Sequence, residues 1–288
     1  MLKRLVNLTG SIVVRASDAV TDGAGRLVGR KPRPRCMVLA YHAISDDQRS
    51  LFAGQMDVLI RKTTPIHADV SALPADTGRF SVITFDDGLE NIIPNALPEL
   101  KKRNIPCTLF IVTEKLGCER SWEHMGGEDT SKMMVMSAEQ LCSLPSDLVK
   151  IGSHTMTHPL LPKVEQSFSA REVSGSREKL ERMLNREVKL FSFPYGGFND
   201  SVIEDCRNAK YDRVFTAHPV FAFSQPEEFV TGRVSTAPTD WPIEFRLKLA
   251  GAYRWLPWAF QLKRRIRVLL KAGSGKPLGV KAGEKRAA

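Results

Sequence analysis

The sequence predicts an α/β fold built on a parallel sheet, open or closed into a barrel. Three observations predict it. From Cys36 onward, short apolar runs alternate with segments of helical length, the spacing of βα units. Chemically capable residues fall just after four of the six candidate strands, the end at which parallel α/β folds collect reactive groups. The chain has 288 residues, 42% of them hydrophobic and 26% charged, which supplies a sizeable core and excludes bulk disorder and collagen-like repeats.

The first 35 residues hold an apolar patch, Leu5 to Val14, followed by a Gly- and Pro-punctuated basic stretch, Gly23 to Arg35, that reads as a linker. Strands are expected at Met37–Tyr41, Phe80–Phe85, Cys107–Val112, Leu148–Ile151, Leu190–Phe193 and Arg213–Thr216, several of them rich in Val, Ile and Phe. Helices are expected at Phe52–Lys62, Asn91–Arg103, Ser137–Leu144, Ala170–Asn185 and Asp200–Lys210. Ser137 with Gln140 has the spacing of a capping box, and Pro94 suits a first helical turn. The chain divides into a basic segment and linker (1–35), a main domain (36–241), and a basic amphipathic helix with a tail (242–288).

Three strand ends carry motifs. Thr84-Phe85-Asp86-Asp87-Gly88 sets two carboxylates side by side. Neighbours at a strand end point in different directions, so one can bind a metal while the other acts on a water, and Gly88 permits a tight turn. An ordinary Asp-Gly turn is the plainer reading. Gly152-Ser153-His154-Thr155-Met156-Thr157-His158-Pro159 spaces two histidines four apart. With one carboxylate they make a two-His, one-carboxylate site that leaves positions open for water and substrate; otherwise they are capping or surface residues. Phe191-Ser192-Phe193-Pro194-Tyr195-Gly196-Gly197 is a turn that either presents a backbone N–H to an oxyanion or serves only to pack aromatic rings.

In this order, TFDDG, SHTMTHP and FPYG resemble the motifs of the NodB-homology polysaccharide deacetylases, carbohydrate esterase family 4. Leu39-Ala40-Tyr41-His42 resembles the first-strand signature of the family's bacterial branch, and the FPYG variant fits its exopolysaccharide-modifying members. The resemblance covers roughly Cys36 to Trp241. It implies an irregular (β/α) barrel and metal-dependent removal of N-acetyl groups from an N-acetylated amino-sugar oligo- or polysaccharide, with release of acetate. Asp87, His154 and His158 would hold a divalent metal, zinc foremost, with cobalt or nickel as substitutes. Asp86 would be the general base, the Tyr195 N–H would join the oxyanion hole, and Pro194 and Gly196 would line the substrate. Two departures stand out. Ser192 occupies the place where many members have an Arg that pairs with the base, which leaves Asp86 without that partner. No late Leu-x-His follows Tyr195, where His218, before Pro219, is the sole histidine. In the poly-N-acetylglucosamine deacetylase branch an equivalent His comes from the first strand, so His42 is preferred to His218 as general acid. The competing reading is a non-catalytic carbohydrate-binding or membrane-surface protein that retains the fold.

The net charge of +10 is unevenly placed: residues 1–35 carry +6, residues 36–241 carry −6 and residues 242–288 carry +10. Trp258 to Lys271 has an amphipathic helical pattern, with Trp258, Leu262, Ile266 and Leu269 on one face and Lys263, Arg264, Arg267 and Lys271 mostly opposite. Residues 255–271 read either as a helix docked on the barrel with a solvated basic face or as an interfacial helix on an anionic membrane surface. Nucleic acid is not an expected partner, since no recognised module is legible. Five cysteines, odd in number and without a CxxC pair, argue against a disulfide framework and a Cys-based zinc site. With no apolar run of signal-peptide length at the start, the expected location is cytoplasmic, peripheral at most to the inner membrane face. Nothing in the sequence speaks to oligomeric state.

Overall fold

The computed structural model describes residues 2–74, 77–122, 133–260 and 262. In chain order its elements are α1 (Leu2–Leu27), β1 (Arg35–Tyr41), α2 (Arg49–Lys62), β2 (Thr64–Pro65), β3 (Arg79–Phe85), α3 (Ile92–Asn95), α4 (Leu97–Lys102), β4 (Cys107–Ile111), α5 (Ala138–Cys142), β5 (Val149–Ser153), α6 (Gln166–Leu184), β6 (Leu190–Ser192), α7 (Asp200–Asn208), β7 (Arg213–Phe215), β8 (Val230–Thr231), β9 (Val234–Ser235) and α8 (Pro242–Leu249). The strands form one parallel sheet in the order β8-β7-β6-β5-β4-β3-β1-β9, with β2 added beside β3. All six strands expected from the sequence are present, and the curled parallel sheet matches the expected irregular (β/α) barrel.

The sheet's two outermost strands, β8 and β9, are consecutive in the chain, separated only by Gly232 and Arg233. One short extended segment thus lies along β7 with its first half and along β1 with its second, and the barrel seam is bridged by the chain itself. Gly232 is required here: a Cβ on it would lie 2.3 Å from the His218 carbonyl oxygen and 2.3 Å from the Val220 side chain.

The pleat sorts the strand residues between two cores. Leu39, Tyr41, Ile83, Phe85, Leu109 and Ile111 face outward and pack under the helices, joined by Phe52, Met56 and Leu59 of α2. The alternating set, including Val38, Val82, Phe110, Leu190 and Phe215, fills the barrel interior. Towards the carboxyl ends of the strands that interior turns polar, and Thr84, Asp86, His154, Ser192 and Arg233 are all buried there.

Three features differ from the sequence reading. The expected helix over Asn91–Arg103 is broken into α3 and α4 at Ala96. The stretch from Gly23, read as linker, continues α1 to Leu27, because α1 is held by tertiary contacts that local punctuation does not report. Arg254 pairs with Asp18, Arg35 with Asp22 at 2.9 Å, and the Trp255 indole N–H donates to Ser11 at 3.1 Å. Finally, the main core runs past Trp241: Phe245, Leu247 and Leu249 of α8 are buried in it, with Ala252 and Tyr253. Of the expected C-terminal amphipathic helix, residue 261 and residues 263–271 lie outside the described residues, as does the tail beyond Ala272; Trp258 and Phe260 are exposed. No described helix is long and apolar enough to cross a membrane.

Candidate active site

Asp87 follows β3, and His154 and His158 follow β5, two strands away in the sheet. Their donor atoms lie within 4.8 Å of one another, and all three residues are buried. Asp87 Oδ1 lies 3.7 Å from His154 Nε2 and 3.4 Å from His158 Nε2. His154 Nδ1–H donates to the Ser192 carbonyl at 2.7 Å, which fixes the tautomer and leaves Nε2 with its lone pair towards Asp87. The other carboxylate oxygen, Oδ2, faces the buried Arg120 Nε at 3.2 Å. Burial pushes both imidazoles below their ordinary value, so they are neutral, the form that binds a metal. Burial pushes the Asp87 carboxyl up, against His154 and Arg120, which marks a charge short of compensation. Two neutral imidazoles and one carboxylate fit a borderline divalent cation such as zinc, with positions left open.

The loop that carries the histidines is built by its own hydroxyls and by α6. The His158 N–H donates to Thr155 Oγ1 at 2.9 Å, and Ser153 Oγ meets Ser176 Oγ at 2.5 Å. Buried Glu172 accepts from the Met156 and Thr157 N–H groups, each at 2.8 Å, and from the Thr157 hydroxyl at 2.7 Å. Asp87, Thr155, His158 and Tyr195 all sit at positive φ, between 58° and 71°, a backbone state that non-glycine residues keep only when their surroundings enforce it. The Trp122 ring stacks on His158 at 4.7 Å, and the Tyr195 ring meets its edge at 4.6 Å.

Asp86 does have an arginine partner, which comes from the barrel seam. Arg233 Nη1 and Nη2 donate to its two carboxylate oxygens at 2.7 Å each. The remaining guanidinium N–H groups reach Thr84 Oγ1 at 3.0 Å, Ser192 Oγ at 2.7 Å and the Thr216 carbonyl at 3.3 Å, so all five donors are used. Burial pushes the Asp86 carboxyl up, but the Arg233 guanidinium outweighs it and holds the group well below the usual carboxylate range. Ser192, which stands in the place expected for arginine, is therefore the small residue that accepts from the replacement guanidinium.

His42 follows β1, and the Tyr41 carbonyl beside it accepts the Asp86 N–H at 2.9 Å, so the two residues are neighbours at adjacent strand ends. Their charges are coupled. His218 lies after β7 and is exposed, its ring against Phe198 at 5.5 Å. Pro194, Tyr195 and Gly196 form a single tight turn after β6. Gly196 sits at φ 64°, where a Cβ would lie 2.5 Å from the Ala217 Cβ.

The sequence model of the family described as "Polysaccharide deacetylase" matches residues 75–214, a span that holds Asp86, Asp87, His154, His158 and Tyr195. Over these 140 residues, just under half of the chain, the sequence is similar to a polysaccharide deacetylase domain. Among curated proteins, the domain is similar to the poly-beta-1,6-N-acetyl-D-glucosamine N-deacetylases of Staphylococcus epidermidis (28% identical over 131 residues, 42% of each chain) and Staphylococcus aureus (29% over 140 residues, 44% of each chain). The chain thus spans less than half the length of these two curated relatives. Among solved structures it is similar in fold to IcaB from Ammonifex degensii, with a TM-score of 0.64 and 24% identity, covering 77% of this chain and 98% of that one.

Sequence reasoning missed two residues of the candidate site, Arg233 and Arg120. Neither stands in a motif, and Arg233 lies beyond the span that the family model matches. A signal was available for one of them: Asp86 is a buried carboxylate, and a buried carboxylate demands a cation from somewhere in the chain. For the donor set, metal analysis of purified protein is expected to give about one divalent ion per wild-type chain. His154→Ala and His158→Ala should each lose it, because two remaining donors hold such an ion poorly. Full occupancy in both variants would remove the donor assignment.

Proposed function

We propose that this chain is a metal-dependent N-deacetylase acting on an N-acetylated amino-sugar oligo- or polysaccharide. The observation that carries the reading is the Arg233-clamped Asp86 carboxylate standing directly beside the Asp87, His154 and His158 donor set. Those three residues would hold a divalent cation, and zinc suits two nitrogens and one oxygen. When bound, such a cation supplies Lewis acidity, which lowers the pKa of water to about 7 and brings it within reach of a weak base.

The remaining work falls to side chains and backbone. Asp86, kept ionised by Arg233, accepts a proton from water as the water oxygen attacks the acetamide carbon. The clamp also fixes the direction of the carboxylate, so little reorganisation is needed. The Tyr195 N–H, in the strained turn after β6, faces the developing oxyanion. Breaking the C–N bond requires a proton on the departing amine, and His42 beside Asp86 delivers it. Burial pushes the His42 imidazole below its ordinary value, with the Asp86 charge opposing, so it rests neutral at pH 7 and releases a proton readily once it holds one. The hydroxyl of the water ends in acetate and its proton, by way of Asp86 and His42, on the free amino sugar. Pro194 and Gly196 shape the wall against which the acetamido group lies.

The test is acetate release from N-acetylglucosamine oligomers of defined linkage, with zinc supplied. No release from any of them would hand the site to the carbohydrate-binding reading. A narrower prediction concerns the acid. His42→Ala is expected to lower kcat by about 100-fold or more at unchanged metal content, whereas His218→Ala stays close to wild type. The reverse ranking would move the role to His218.

A further inference from the structure

The helix α1 docks on the barrel through Ser11 and Asp18, with Leu8 and Val14 packed against the core on either side of them, and turns a second, aliphatic side to solvent. Its residues spaced by three and four put Arg4, Ser11, Asp18 and Asp22 on the side that meets the barrel, where Ser11 and Asp18 are buried. That side is fixed by polar contacts: Arg4 with Glu244, Asp18 with Arg254, Asp22 with Arg35, and Ser11 under the Trp255 indole. Gly10 lets the indole approach so closely that a Cβ would lie 2.5 Å from the ring. The opposite side carries Leu2, Leu5, Val6, Ile12, Val13, Val20 and Leu27, all exposed, with Val13 at 64% and Val20 at 72%. No charged residue interrupts this stripe, whose remaining members are Thr9, Ala16, Gly23 and Ala24. A helix of 26 residues makes it about 39 Å long. An uninterrupted aliphatic stripe of that length on a water-facing surface signals a missing apolar partner.

Charge identifies the partner. Lys3 borders the stripe on one side and Arg15 and Arg26 on the other, and Arg30, Lys31 and Arg33 follow directly in the chain. The first 35 residues carry +6, while the main domain carries −6. At the start of α1 the stripe adjoins a second apolar group: Lys3 and Asn7 line a cavity of about 510 Å3 together with Leu256, Pro257 and Phe260, and Trp258 beside them is 65% exposed. Aliphatic residues flanked by cations, with an aromatic residue at one end, are the composition of a helix lying in the interface of an anionic bilayer.

We propose that α1 is a membrane-interface helix, presenting Leu2, Leu5, Val6, Ile12, Val13, Val20 and Leu27 to the acyl boundary of an anionic lipid surface while its ion-paired side holds the catalytic domain. Because Arg4 meets residues that follow β9, at the carboxyl end of the barrel, and Asp22 meets Arg35 at the start of β1, the helix lies along the barrel wall. A domain held in this way opens its site sideways, along the lipid surface.

The experiment is co-sedimentation of the full chain with vesicles of phosphatidylcholine alone and of phosphatidylcholine with phosphatidylglycerol, next to sedimentation velocity without lipid. Wild type is expected to bind the anionic vesicles at least tenfold more tightly than the neutral ones, less so at high salt. Val6→Glu/Val13→Glu/Val20→Glu, which changes three exposed positions only, should keep the wild-type melting temperature and lose tenfold or more in vesicle affinity. Three results would overturn the proposal: no vesicle binding by wild type, unchanged binding by the triple variant (which would place the contact in the C-terminal segment), or a wild-type dimer that the variant dissociates in the absence of any vesicle binding.

Discussion

Asp86→Asn is expected to abolish acetate release while leaving metal content at the wild-type level. The substitution is isosteric and does not touch the three donor side chains, whose positions are set by the loops after β3 and β5. An amide cannot take a proton from water at neutral pH, so the whole contribution of general base catalysis disappears, about 10³-fold or more. The amide oxygen can still accept from one Arg233 nitrogen, but the amide nitrogen then faces the other nitrogen, donor against donor. Some loss of melting temperature is therefore expected, and activity must be compared at a temperature where both proteins are folded. Metal content and acetate yield, measured on the same preparation, separate the roles of the adjacent aspartates. An active Asp86→Asn protein would end the assignment of the base.

Arg233→Met is expected to damage both stability and turnover. It keeps an unbranched apolar side chain beside Phe110 and Phe215, whose rings the guanidinium faces in wild type, but leaves the Asp86 carboxylate buried without its counter-charge. Removing one partner of a buried pair costs roughly 3–5 kcal/mol. In wild type the depressed carboxyl contributes stability that is fully present above the unfolded value of about 4 and is lost as pH falls through the lower folded value. The variant lacks that contribution, so its melting temperature should fall most at neutral pH and less in acid. With the guanidinium gone, burial raises the carboxyl, and the pH at which activity appears should move upward. Melting curves and rate profiles across pH test both effects, and a variant with wild-type curves in both would show that the seam arginine is dispensable.

Much of the site was legible because it is local. Asp86 and Asp87 stand at the end of one strand, His154 and His158 at the end of another, and each pair is set by a few consecutive residues with turn chemistry of their own. The six main strands were legible for a similar reason, since parallel strands buried on both faces read as short continuous apolar runs. Arg233 was not legible. It is 147 residues from Asp86 in sequence and sits between two strands of two residues each, too short to show any periodicity. The helix α1 was obscured by Gly23 and Gly25, which read as breakers, and by charged residues whose partners lie beyond residue 240 or at the start of β1. Neither feature has a local cause, so neither leaves a local trace.

The seam bears on the order in which the proposed site assembles. The proposed metal donors belong to residues 87–158 and can meet as soon as β3, β4 and β5 have paired. The counter-charge for the base arrives only when residues 230–235 are laid between β7 and β1, a contact that joins distant parts of the chain and is therefore slow to form. A half-synthesised or half-folded chain would already carry an ion but not a tuned base. On the proposed roles, hydrolytic competence would be the last property the chain acquires, arriving with the same strand that completes its architecture.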